Sequence, residues 1–244
     1  MNEQPTHLDL FSGIGGFALA AGWAGFKTIG FCEIDPYCQA VLKKHWPQTP
    51  IHSDIRELRG GGKPYRNCTL LTGGFPCQPF SSAGKRRGKN DDRYLWPEMF
   101  RIIQEANPTW IIGENVAGLI NMELEEAIID LENYGYEVQP LVIPACSLDA
   151  FHRRDRVWII ANSNRERQNI REKANNKKER RPKDIIKGCS FRKILNEWDG
   201  WKSTSFICRS HDGIPNRAHR LKGLGNAIVP QVAYQIIKGI RELL

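Results

Sequence analysis

Short apolar runs alternate with longer stretches in which apolar residues recur every three to four positions, from the N-terminus to about Ala161. The runs THLDL, KTIGFC, CTLLTG, TWIIGEN, YEVQPLVI and RVWIIA predict strands. GFALAAGWAG, PYCQAVLKKHW, RYLWPEMFRIIQEA and MELEEAIIDLENY carry the helical spacing. Strand and helix in alternation predict an α/β fold, a parallel sheet wrapped by helices. PQVAYQIIKGIRELL closes the chain as an amphipathic helix with proline in its first turn.

The pattern breaks after Ala161, where NSNRERQNIREKANNKKERRPKD offers almost nothing to bury. A mixed stretch follows, with Phe191, Ile194, Leu195, Trp198, Trp201, Phe206 and Ile207 enough for a small satellite core. The predicted organisation is a main domain from 1–162 and 213–244, interrupted by a short basic region at 163–212. That region holds 14 Lys and Arg against 7 Asp and Glu, so it carries +7 of the formal +8 of the 244-residue chain. Such an excess suits a polyanionic partner, and equally a solvated polar insert. The seven cysteines are scattered without a Cys-x-x-Cys, so neither a disulfide framework nor a zinc cage is indicated. No apolar run approaches the roughly 20 residues of a bilayer span, and MNEQPTHLDL lacks the marks of a signal peptide. A cytoplasmic protein is expected, with no membrane partner.

Candidate chemistry collects at the predicted strand ends. In LDLFSGIGGF, Gly13, Gly15 and Gly16 form a tight turn into a helix, where free N–H groups and bare backbone admit a ligand. The same turn also occurs without one. Glu33, at the end of the next strand, is placed to accept hydrogen bonds from ribose hydroxyls, and Asp54 falls near a third strand end. An adenosine-bearing cofactor fits this series, and a nicotinamide cofactor fits it equally well. In LLTGGFPCQ, Cys77 follows a proline at the mouth of a strand, which suits a nucleophile on a rigid loop, although a single cysteine is commonly a small buried hydrophobe. Glu114, inside the apolar run TWIIGENV, is costly unless paired or functional. Arg154 and Arg156 lie two apart, hence on one face if the strand has already begun there, as an anion-handling or orienting pair.

DLFSGIGG, GFPCQPFS, ENV, RRDR and GNAIVP, in that order, resemble the C5-cytosine DNA methyltransferase family of bacterial or phage type. The matching motifs run from Leu8 to Ala161 and from about Asp212 to Gln231. The resemblance implies a Rossmann-like S-adenosylmethionine-dependent methyltransferase sheet, with the basic region as a small target-recognition lobe. It implies S-adenosylmethionine as methyl donor, S-adenosylhomocysteine as product, and double-stranded DNA as substrate. Cys77 would add to C6 of a flipped-out cytosine and Glu114 would contact N3 and the exocyclic amine, with Arg154 and Arg156 completing the catalytic set. Phe11, Gly13, Ile14, Gly15, Gly16, Glu33, Ile34, Asp54, Ile55, Asn226 and Ala227 fall on family positions for the cofactor. Ser81 matches a phosphate-contacting position, in a loop expected to close over DNA. His152 stands where the family most often has glutamine. The expectation is a monomer, with a cognate restriction endonuclease as a candidate partner and no metal. Rival readings are a tRNA cytosine-C5 methyltransferase, a catalytically silent DNA-binding relative and, more weakly, a nicotinamide oxidoreductase.

Overall fold

The computed structural model describes residues 3–76, 94–116, 123–148, 154–163, 223 and 226–244. Within them, seven strands form one sheet: β1 (Thr6–Leu10), β2 (Lys27–Cys32), β3 (Ile51–His52), β4 (Leu70–Gly73), β5 (Trp110–Val116), β6 (Tyr136–Pro144) and β7 (Asp155–Ser163), in the order β3-β2-β1-β4-β5-β7-β6. The described helices are α1 (Gly16–Trp23), α2 (Pro36–His45), α3 (Trp96–Ala106), α4 (Glu123–Asn133) and α5 (Pro230–Arg241). The basic region beyond Ser163, the loop containing Cys77 and Ser81, and His152 lie outside the described residues.

Strands β1 to β5 are mutually parallel, as the alternation predicts. β7 departs from that expectation and runs antiparallel to both β5 and β6. Residues 145–154 alone connect β6 to β7. That is short for a parallel crossover, which takes a dozen or more residues, so the chain turns back on itself.

The sheet is covered on both faces, and the strands alternate between two cores. On one face, Leu8, Leu10, Leu71, Ile111 and Ile159 pack with α3 and α4. On the other, Leu70, Trp110, Ile112, Trp158 and Ile160 pack with α1 and α5. Phe31 and Leu42 fix α2 beside α1 through Ala18. α1 is built largely from alanine and glycine, which lets it lie close to the sheet. Trp96 Nε1 donates to Asp130 at 2.8 Å and Tyr94 to Glu126 at 2.9 Å, tying α3 to α4.

His7 and Asp9 project to the α1 face between the leucines of β1, and both are fully buried. Thr72 of β4 donates to Asp9 Oδ1 at 2.7 Å and lies 2.8 Å from His7 Nε2, while Thr28 of β2 meets His7 Nδ1 at 3.0 Å. With the Thr72 hydroxyl given to Asp9, His7 carries its proton on Nε2 and accepts from Thr28. Burial pushes the Asp9 carboxyl up to about 7 and the His7 imidazole down to about 3. A buried chain of polar groups thus crosses three strands under the glycine turn.

Candidate active site

The order of strands reverses between β1 and β4, and a cleft of about 430 Å³ opens there at the carboxyl ends of the strands. This is where open α/β sheets bind ligands. β1 runs into it through Phe11, Ser12 and Gly13. Phe11 and Gly13 take left-handed φ values of 52° and 53°, and Ser12 Oγ holds the turn by donating to the Asp9 carbonyl at 2.8 Å. A Cβ at Gly13 would meet nothing within 4 Å, so the turn presents bare backbone to the cleft.

Glu33 crosses from β2 to meet this turn. One carboxylate oxygen accepts from Gly13 N at 2.7 Å and the other from Asp35 N at 2.8 Å. Both oxygens are thereby aimed while keeping lone pairs free for hydroxyl donors. Beside it, the Ile34 side chain is 70% exposed at the cleft wall, an apolar surface for a flat ring. Asp54 caps the turn after β3, accepting from Arg56 N at 2.9 Å, and Asp54 and Ile55 complete that side. Hydroxyl acceptors, an apolar shelf and open backbone fit an adenosine-bearing cofactor.

The other half of the cleft belongs to β4, β5 and β7. Glu114 is 8% exposed, and its Oε1 lies 2.9 Å from Arg156 Nε. The antiparallel register sets Val116 opposite Arg156 and Glu114 opposite Trp158, so Glu114 and Arg156 are diagonal neighbours on one face. Burial raises the Glu114 carboxyl above its ordinary value, and Arg156 and then Arg154 pull it back without cancelling the rise. Gly74 is close enough that a Cβ would stand 3.5 Å from Glu114 Oε2. Asn115 Nδ2 donates to the Phe75 carbonyl at 2.9 Å, and its Oδ1 accepts from Val116 N at 2.8 Å. The stretch leading to Pro76 and Cys77 is therefore pinned against the strand that carries Glu114.

Of the residues expected at the site, Phe11, Gly13, Glu33, Ile34, Asp54, Ile55, Glu114, Arg156 and Asn226 line one cleft. Cys77 lies outside the described residues, next to Pro76, which does line it. Ile14, Gly15, Gly16, Arg154 and Ala227 are not among the residues that line it. Gly15, with φ 88°, presses on Trp46, where a Cβ would come within 2.6 Å of the ring. A Cβ on Gly16 would come within 2.7 Å of Ile228. These two glycines admit neighbouring side chains rather than the ligand. Arg154 precedes β7 with φ 37°, and its Nη2 donates to the Ala227 carbonyl at 2.7 Å. The two arginines are therefore divided, one onto Glu114 and one onto the segment that carries Asn226. The reading by strand ends passed over Asn115, whose signal was a second polar residue in a run otherwise suited to a buried strand.

The cleft lies at the switch point of a doubly wound sheet and carries a buried, arginine-paired carboxylate on one side. The family model described as C-5 cytosine-specific DNA methylase matches residues 6–218. The chain belongs to that family. It is similar to the type II methyltransferase M.NgoMIV of Neisseria gonorrhoeae, 36% identical over 66% of this chain and 53% of that protein. It is equally similar to M.Eco47II of Escherichia coli, 36% identical over 66% of this chain and 40% of that one. Among solved structures, a mutant of Spodoptera frugiperda DNMT2 superposes with a TM-score of 0.56 at 26% identity, over 66% of this chain and 50% of that one. The match spans about half the length of these relatives, or less.

Proposed function

We propose that this protein transfers a methyl group from S-adenosylmethionine to C5 of a cytosine flipped out of double-stranded DNA. The observation that carries the reading is the buried Glu114–Arg156 pair facing the cofactor half of the cleft, with Asn115 fastening the Cys77 loop's entry to the same strand. When bound, S-adenosylmethionine would supply an electrophilic methyl on sulfur. Glu33, Ile34, Asp54 and Ile55 hold its adenosine end.

Cytosine C5 is a weak nucleophile until the ring loses its conjugation. The Cys77 thiolate adds to C6, and the displaced electron pair gathers at C5 as Glu114 donates a proton to N3. A raised carboxyl pKa keeps that proton available nearer neutrality, and Arg156 then stabilises the carboxylate left behind. C5 takes the methyl and its proton is lost to a base; N3 returns its proton to Glu114, and the S–C6 bond breaks to restore the aromatic ring and the Cys77 thiolate. The target base is unreachable in a stacked duplex, so flipping precedes these steps.

The region 163–212 serves as the target-recognition lobe, its cations on phosphates. The protein works as a cytoplasmic monomer, and the naming of its relatives as type II methyltransferases supports a cognate restriction endonuclease as partner. Among the described residues, no helix is long and apolar enough to cross a membrane. The test is transfer of labelled methyl from S-adenosylmethionine to mixed-sequence duplex DNA and, side by side, to tRNA. Cys77→Ser is expected to abolish transfer and to abolish covalent trapping on 5-fluorocytosine DNA while sparing cofactor binding. Transfer to tRNA alone, or turnover by the serine variant, overturns the assignment.

A further inference from the structure

The turn from Asp54 to Leu58 forms one wall of the cofactor cleft, yet the sheet holds it weakly. β3, which precedes it, is two residues long and lies at the sheet edge. Within the turn, Glu57 N and Leu58 N both donate to the Asp54 carbonyl at 3.2 Å. Those bonds set its local shape but not its distance from Glu33 across the cleft.

The entry to the turn is held by Glu33 N, which donates to the His52 carbonyl at 2.9 Å, and its far side is held from α3, on a different segment of the chain. Arg101 Nη2 donates to the Ile55 carbonyl at 2.7 Å, and Nη1 donates to the Leu58 carbonyl at 3.1 Å. The guanidinium is itself aimed by two carboxylates one turn away on either side. Nε meets Glu98 at 2.9 Å and Nη1 meets Glu105 at 2.7 Å. The second oxygen of Glu105 accepts from Gly60 N at 2.7 Å, a further grip on the same loop. Four of the five N–H donors of Arg101 are therefore committed in one rigid fork, which a lysine cannot reproduce. Ile55 and Leu58 also bury their side chains against α3, so the arginine adds registration to a contact that packing alone would leave free to slide.

We infer that Arg101 is a positioning residue for the cofactor: by holding the Ile55 and Leu58 carbonyls it fixes the Asp54–Ile55 wall and so sets the affinity for the adenosine end of S-adenosylmethionine. The inference rests on the cofactor reading above. α3 follows directly on the segment that carries Cys77, so the helix that leads out of the catalytic loop also shapes the adenosine wall.

The test is calorimetric titration of S-adenosylhomocysteine, and separately of adenosine, into wild type, Arg101→Met and Arg101→Lys in the absence of DNA. Melting curves and steady-state kinetics accompany it. Loss of two charge-assisted hydrogen bonds that register the wall is expected to weaken both ligands roughly tenfold in Arg101→Met. Arg101→Lys is expected to recover less than half of that on a logarithmic scale. The KM for S-adenosylmethionine should rise in parallel, while kcat at saturating cofactor and the KM for DNA stay within about twofold, a split that general loosening of the domain would not produce. Should Arg101→Met fail to fold, Glu105→Gln leaves one acceptor oxygen where Arg101 Nη1 and Gly60 N need two, and weakens binding by about threefold. Unchanged affinity in a variant that folds, with only the melting temperature lowered, overturns the inference. A wild-type protein that binds neither ligand overturns the cofactor reading itself.

Discussion

Removing Arg156 isolates the electrostatic design of the site. At 2.9 Å, and with the two side chains 19% and 10% exposed, the ion pair with Glu114 is worth about 6 kcal/mol in gross Coulomb energy at an effective dielectric of 20. Much of this offsets the desolvation of both groups. The measurable quantity is the cost of stranding Glu114, about 3–5 kcal/mol for a buried pair that loses one member. In Arg156→Met the chief influence holding the Glu114 carboxyl down is gone, so its pKa, already raised by burial, rises further. A carboxyl whose folded pKa lies above its unfolded value binds more protons in the folded state. Stability is then fully present below the unfolded value near 4.3 and is lost as pH rises toward the folded one, at up to about 1.4 kcal/mol per pH unit. The variant should therefore be only slightly destabilised at pH 5 and bear the full cost at pH 8. At about 2–4 °C per kcal/mol for a chain of this size, the gap approaches 10 °C. Thermal and guanidinium unfolding of wild type and variant at both pH values measure it. Adding Glu114→Gln should return most of the loss at pH 8, since no unpaired charge remains. An equal loss at pH 5 and pH 8, or no recovery in the double variant, would refute the assignment of Glu114 as a burial-strained acid held by Arg156.

Asn115→Ala should lower kcat by about tenfold or more while cofactor affinity measured without DNA stays near wild type, because the Phe75 carbonyl, two residues before Cys77 in the sequence, loses its donor; a stability cost of about 1–3 kcal/mol accompanies the unsatisfied group. Single-turnover kinetics against calorimetry separates the two effects. The His7–Thr72–Asp9 chain gives a compensated pH response. Asp9, raised to about 7, contributes stability that is lost as pH climbs from about 4 to 7, whereas His7, lowered to about 3, contributes stability that is lost as pH falls from 6.5 toward 3. Between pH 4 and 6.5 the slopes oppose, so wild type should be nearly flat, Asp9→Asn should gain stability with rising pH and His7→Gln should lose it. Parallel flat profiles in all three would show that these groups do not titrate as the buried chain requires.

Much of the sheet was legible because strands buried on both faces leave continuous apolar runs, as TWIIGEN and RVWIIA do. The reversal of β7 was not, since an apolar run reads alike in either direction and only the length of the 145–154 connection distinguishes them. β3 is too short to leave a pattern. The alternation of His7 and Asp9 with Leu8 and Leu10 is visible in THLDL, but a polar face reads as solvent-exposed until Thr28 and Thr72 arrive from strands 21 and 65 residues away from His7. At the site, residues that touch the cleft through their own chemistry, such as Glu33 and Glu114, stood out by type and by position at strand ends. Asn115 and Arg101 did not, because their partners are backbone carbonyls on distant segments, and a carbonyl carries no signature in sequence. The glycines misled in part: one turn holds Gly13, open to the cleft, and Gly15 and Gly16, which make room for Trp46 and Ile228.

The proposed methyl transfer needs two ligands to converge from separate binding surfaces, and the strand order divides the cleft in a way that suits this. The strands β1, β2 and β3 fan to one side of the switch point and end in Gly13, Glu33 and Asp54; β4, β5 and β7 fan to the other and bring Pro76, Glu114 and Arg156. A change confined to the first fan should move cofactor affinity, and one confined to the second should move turnover. Arg101 breaks this division. It belongs to the crossover helix between β4 and β5, yet its fork closes on carbonyls that follow β3. Among the described residues, the two fans meet through the β1–β4 pairing at the sheet, through Phe17 of α1 against Trp158 of β7, and through the Arg101 contacts above it. A helix that carries one fan's connection while gripping the other's loop therefore bears on the spacing of the two fans, across which the proposed methyl transfer would run.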